Sequence, residues 1–132
     1  MGEIMRVAIS ASRHLTSVGV PHALIGGAAL AAHGMVRMTR DVDFLIGELG
    51  FRQLDSGILV FTREMPAGNH RVPVDCMPAY TGELNAIVDR AVIVCDVYVA
   101  RLEDIREMKM ASNRPRDKRD AGWIDEELGC LT

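Results

Sequence analysis

An α+β or mixed α/β sandwich, with a central mixed sheet of four or five strands flanked by helices, is the fold class this sequence predicts. Three observations predict it. Helical periodicity opens the chain, strand-like apolar runs separated by turn residues fill its middle, and helical periodicity returns at its end. With 132 residues, 48% of them hydrophobic, the chain suits one core better than two, so a single domain over residues 1–132 is expected.

The elements follow in order. Ile4, Val7, Ala8, Ala11, Leu15 and Val18 recur at three and four residues, which places a helix at about Glu3 to Thr16. Gly19 and Pro21 end it, and His22–Ile25 reads as a short buried strand running into Gly26-Gly27. A compact helix, Ala28 to His33, is stopped by Gly34. Strands are expected at Asp41–Ile46, Gly57–Thr62 and Val72–Met77, the last two as a hairpin because Pro66, Gly68 and Asn69 cluster between them. Thr81 caps a helix bearing Leu84, Ile87 and Val88, and Ala91–Ala100 is dense in β-branched residues. The tail carries two helical stripes, Leu102/Ile105/Met108 and Ala121/Ile124/Leu128, divided at Asn113-Arg-Pro115.

A formal charge of −3 leaves no global basic field to attract nucleic acid, so any such contact must be local. Cys76, Cys95 and Cys130 are odd in number and form no CxxC pair, which excludes a disulfide framework and a zinc knuckle. No run approaches the roughly 18 apolar residues of a membrane span, and the N-terminus has a glutamate where a signal peptide carries basic residues. A soluble, cytoplasmic protein is expected.

The chemistry-bearing stretch is Ala23 to Ile46. In an extended strand the side chains of Asp41 and Asp43 share a face while Val42, Phe44 and Ile46 take the other. Carboxylates that close repel unless one is protonated or a cation lies between them, and all-oxygen ligands suit Mg²⁺. Asp75, within Val72-Pro-Val-Asp-Cys-Met77, is a third strand acid that can converge with them. The plain alternative is a solvated strand edge. Upstream, Gly26-Gly27 joins a strand to a helix, whose first N–H groups attract phosphate and whose missing Cβ atoms admit a ligand. A tight turn alone would also use two glycines.

Taken together, Ile25-Gly26-Gly27, thirteen intervening residues and Asp41-Val42-Asp43-Phe44 resemble the signature of the nucleotidyltransferase superfamily related to DNA polymerase β. The run His33-Gly34-Met-Val-Arg37-Met-Thr39-Arg40 and the tail Lys109 followed by Arg114-Pro115-Arg-Asp117-Lys-Arg-Asp120 are similar to its small bacterial branch, which includes toxins of abortive-infection and toxin–antitoxin systems. The resemblance implies a nucleotidyltransferase fold and Mg²⁺-dependent transfer of a nucleoside monophosphate from a triphosphate such as ATP to an acceptor hydroxyl on RNA, protein or a small molecule. Gly26 and Gly27 would contact the triphosphate, Asp41 and Asp43 would bind one or two metal ions, and Asp75 would be the third acid. Lys109 would reach nucleotide phosphate or base, oriented by Asp117 or Asp120; an interhelix salt bridge is the other reading of that trio. Arg37, Thr39 and Arg40 stand close enough to the acids to touch phosphate, or form a solvated loop.

The segment Gly47–Ser56 leaves room for only two helical turns where relatives carry a full helix, and the C-terminal helical domain of larger relatives has no counterpart here. Completion of the acceptor site by a partner protein or a second copy is therefore expected. A non-catalytic nucleotide- or partner-binding module is the rival reading. His33 is expected to pack or cap rather than act as a base.

Overall fold

The computed structural model of the protein describes residues 2–36, 38–47, 62–67 and 70–129. Its backbone contacts divide the chain into two compact units, Met1–Ala100 and Arg101–Thr132. The first contains helix α1 (Glu3–Ser17), strand β1 (His22–Ile25), helix α2 (Gly26–Ala32), strands β2 (Val42–Ile46), β3 (Thr62–Ala67) and β4 (His70–Pro78), helix α3 (Gly82–Asp89), and strands β5 (Val92–Val94) and β6 (Val97–Val99). The second contains helices α4 (Leu102–Ser112) and α5 (Pro115–Gly129).

The strands form one mixed sheet in the order β3-β4-β2-β1-β6-β5. The β1–β2, β3–β4 and β5–β6 pairs are antiparallel; β2–β4 and β1–β6 are parallel. Helix α1 forms because Val7, Ala8, Ala11 and Leu15 recur at helical spacing, and all four are buried. Val18, expected on that stripe, is the C-cap and is 47% exposed. The centre of the sheet is apolar: Leu24, Val42, Phe44 and Val99 have no exposed surface. Strand β4 is one-sided. Val72, Val74 and Cys76 are buried, whereas Arg71 and Met77 are exposed and Pro73 and Asp75 half-buried, the alternation of a strand with one face on the core.

Several boundaries differ from expectation. Helix α2 begins at Gly26 rather than Ala28, and Gly26 takes φ +70 at the corner, a conformation open to a residue without a Cβ. The strand expected at Gly57–Thr62 lies, apart from Thr62, outside the described residues, as does most of Gly47–Ser56; the described strand runs from Thr62 to Ala67. Pro66, expected in the turn, is a strand residue, which the outer position of β3 in the sheet tolerates because an edge strand leaves N–H groups unpaired. The run Ala91–Ala100 is divided into β5 and β6 by a two-residue turn in which Cys95 (φ 52) and Asp96 (φ 66) are both left-handed. Hairpins favour this turn because its twist matches that of the strands. Thr81 caps α3 as expected, its Oγ1 accepting from Leu84 N at 3.1 Å.

His22 ties α1 to the sheet. Its Nδ1 donates to the Val20 carbonyl at 2.8 Å, which leaves Nε2 to accept from Ser12 Oγ at 2.7 Å, and its ring lies edge-on to Phe44 and Tyr98. Burial pushes its pKa below the usual 6.5, against a smaller opposing effect of the Val20 hydrogen bond. The neutral ring is therefore the one that fits, and the unfolded chain binds the proton first on acidification. Stability is expected to be fully present above about pH 6.5 and to fall as the pH drops from there through the lower folded-state value. Urea midpoints at pH 7.5 and 5.5 should show a larger loss for the wild type than for His22→Gln.

Candidate functional site

The three strand acids meet. Asp43 lies in β2 and pairs in parallel register with Asp75 of β4, so the two side chains leave the same face of adjacent strands. Asp41, one residue before β2 and two before Asp43, shares that face by the strand period. Ligand oxygens of Asp41, Asp43 and Asp75 all lie within 4.8 Å of one another, with Asp41 exposed and the other two half-buried. Opposite oxygens around a Mg²⁺ ion stand about 4.2 Å apart, twice the usual bond length. The all-carboxylate donor set, gathered within this radius, suits a hard divalent cation.

Gly26 closes one side of the acid cluster. A Cβ built on it would stand 3.1 Å from Asp43 Oδ2, tighter than ordinary contact, and its φ is +70. Both facts follow from register: Ile25 pairs with Asp43, so the chain turns into α2 directly beside the carboxylate. Gly27 follows in the first turn of α2, and the two glycines are half-buried. Thr39 Oγ1 reaches the Asp41 carbonyl at 3.4 Å, a long contact that holds the approach to β2. Arg40 is exposed, and Arg37 lies outside the described residues. His33 Nε2 donates to the Ala100 carbonyl at 2.9 Å, a tie between the end of α2 and the residue after β6, in keeping with its expected packing role.

Lys109, Asp117 and Asp120 come together within the second unit. Pro115 starts α5, and the helical period brings Asp117, Asp120, Ala121 and Ile124 to its buried side. Lys109 Nζ of α4 stands 2.9 Å from Asp120 Oδ2 and 3.4 Å from Asp117 Oδ1. Two further residues join them that sequence reasoning did not assign. Ser112 Oγ donates to Asp117 Oδ2, and Arg114 Nε donates to the same oxygen at 2.8 Å. These contacts, the Ser112 hydroxyl foremost and then Arg114 and Lys109, outweigh burial and hold the Asp117 carboxyl far below the usual carboxylate range. Ser112 ends a helix ahead of a residue at φ 55, a place where a serine ordinarily reads as a frayed terminus.

Solved structures share this fold. An antigenic nucleotidyltransferase-like protein from Paracoccidioides brasiliensis matches over 92% of this chain and 75% of its own, at TM-score 0.60 and 18% identity. ANT(2'')-Ia, determined in complex with adenylyl-2''-tobramycin, matches over 98% of this chain and 90% of its own, at TM-score 0.50 and 16% identity. No family model matches the sequence, and no curated protein does. The chain has the nucleotidyltransferase fold, as its Gly-Gly and Asp-x-Asp signature implied.

Substituting Gly26 tests the corner. Gly26→Ala should lower stability by roughly 1–2 kcal/mol through left-handed strain, and more if the methyl displaces Asp43. Urea denaturation of the two proteins measures it.

Proposed function

We propose that the chain, as one minimal nucleotidyltransferase domain, transfers a nucleoside monophosphate from a triphosphate to an acceptor hydroxyl and releases pyrophosphate. The observation that carries this reading is the convergence of Asp41, Asp43 and Asp75 beside the Gly26 corner. Asp41 and Asp43 hold the divalent cation, and Asp75 contributes the third carboxylate on the acceptor side. When bound, Mg²⁺ supplies charge neutralisation between phosphate oxygens, its usual part in phosphoryl transfer.

The residues of the chain do the positioning. Backbone at Gly26 and Gly27 lies against the phosphates, where the absence of a Cβ lets oxygens approach within hydrogen-bond range. Arg37 and Thr39 precede the acids and contact the same phosphates. Asp75 orients the acceptor hydroxyl and draws its proton as the new bond to phosphorus forms. Lys109, held by Asp117, contacts the nucleotide. Little covalent chemistry falls to the protein, so the rate gain comes from alignment and charge stabilisation.

The retained third acid favours an enzyme over a binding module, since nucleotide binding alone does not require a carboxylate directed at an acceptor. Support for a hydroxyl acceptor also comes from ANT(2'')-Ia, whose structure holds an adenylylated aminoglycoside. RNA, protein and amino-sugar acceptors all present such a group. A toxin–antitoxin role remains within the reading for an RNA or protein acceptor.

Label transfer from each triphosphate to RNA, protein and aminoglycoside acceptors, with Mg²⁺, tests the activity. Asp43→Asn should reduce transfer by roughly 10²–10³-fold, on the scale of losing one transition-state charge contact, with little change in melting temperature. Retained transfer in this variant overturns the assignment. In a separate measurement, a triphosphate with Mg²⁺ at about 100 times its Kd should add ~2.7 kcal/mol of stability, and a chelator should abolish the gain.

A further inference from the structure

Among the described residues, the sheet ends in two edges of different character. Strand β3, at one edge, carries Arg63, Glu64 and Pro66 in its sequence, residue types that discourage a further strand from pairing there. Strand β5, at the other edge, has no such guard: Ala91-Val-Ile-Val-Cys95 contains no charge and no proline, and its centre is β-branched throughout. The hairpin fixes which backbone groups are left over. Val94 and Val97 flank the two-residue turn and exchange hydrogen bonds, as do Val92 and Val99, whereas the intervening pair, Ile93 and Tyr98, does not. The N–H and C=O of Ile93 therefore point away from β6, out of the edge of the sheet.

The side chains there are apolar and open. Ile93 is 65% exposed and its cross-strand partner Tyr98 40%. Both leave the same face of the hairpin, where with Thr16 and Ser17 of α1 and the exposed Arg13–Asp96 ion pair they line a groove of about 340 Å³. Charge then selects the partner and its direction. Arg90 stands three residues before Ile93 and Asp96 three residues after it, both exposed. A second β5 laid parallel and in register would set like charges side by side. Laid antiparallel and centred on Ile93, it sets each Arg90 beside the partner's Asp96, twice by symmetry. Asp96 already meets Arg13 at 2.5 Å, and a carboxylate has acceptor capacity for a second guanidinium.

We infer that β5 pairs antiparallel with β5 of a second copy of this chain, about a two-fold axis at Ile93, and so joins two six-stranded sheets edge to edge. The two Ile93 residues exchange both backbone hydrogen bonds, and their side chains cover one another on the groove face. A three-residue strand buries little area, so the association is weak and concentration-dependent, with Kd on the order of 10–100 μM. Asp43 lies three strands in from this edge; seven interstrand spacings of ~4.8 Å, about 34 Å, separate it from its counterpart in the pair. Both acid clusters stay open, and the contact is independent of the proposed function.

Sedimentation velocity of the full chain between about 5 and 500 μM tests the association. The wild type should pass from monomer to twice that mass across the range. Ile93→Lys, at an exposed position where a charge leaves the fold intact, should raise the dimer Kd about tenfold or more, and Arg90→Glu about threefold at low salt. A wild type that stays monomeric throughout, or a dimer that Ile93→Lys leaves unchanged, overturns the proposal. A second measurement reads the register. In a chain carrying Cys95→Ser and Cys130→Ser, with the buried Cys76 retained, Ile93→Cys should form an intersubunit disulfide under mild oxidation, because antiparallel pairing places the two Cα atoms about 5.5 Å apart. Asp89→Cys, exposed and remote from its own copy in this register, should not. Bridging in neither variant, or equally in both, overturns the antiparallel contact. None of these readings requires transfer activity, so their failure and that of the proposed function are told apart.

Discussion

The parallel register of β2 against β4 is the constraint on which the rest depends. It sets Asp43 beside Asp75 and, on the opposite face, Val42 beside Val74 and Phe44 beside Cys76. The buried set enforces the exposed one. A slip of one residue would turn the acids into the core and the apolar residues out, an exchange that the desolvation of two carboxylates forbids. Like charges are thus brought together by packing behind them rather than by any attraction of their own. The cost of holding them there is the kind that a bound cation removes.

That division explains which parts of the site were legible in the sequence. The shared face of Asp41 and Asp43 follows from a period of two, and the buried alternation around Asp75 marks it as a strand acid. Neither fact contains the pairing of β2 with β4, which brings residues 32 positions apart into register. The signature Gly-Gly announces a corner. Its approach to within Cβ contact of Asp43 appears only once Ile25 is seen opposite that residue.

Local misreadings have equally particular causes. Pro66 looked like a turn residue because proline is excluded from central strands, and the sequence does not say which strand is at an edge. Cys95-Asp96 carries none of the Asn-Gly chemistry that usually betrays a two-residue hairpin turn, so β5 and β6 read as a single β-rich run. Ser112 escaped because its partner, Asp117, belongs to the next helix. By contrast Thr81 and Pro115 acted as the residue types at helix starts normally do, since capping and the first-turn tolerance of proline are settled within a few residues.

The two units carry charge in opposite ways. The sheet unit keeps its acids at the surface of an apolar core, whereas the helical unit buries an ionic cluster whose members are satisfied largely by one another. Such a cluster is worth little if replaced whole by well-packed apolar residues and is damaging to break singly.

The one-sidedness of β4 carries a consequence for how such a protein diversifies. Val72, Val74 and Cys76 answer to the interior, while Arg71, Pro73 and Met77, the neighbours of Asp75 on its own side, answer mainly to whatever molecule lies over them. Substitution can thus alter Arg71, Pro73 and Met77 around Asp75 while the intervening letters keep the scaffold unaltered.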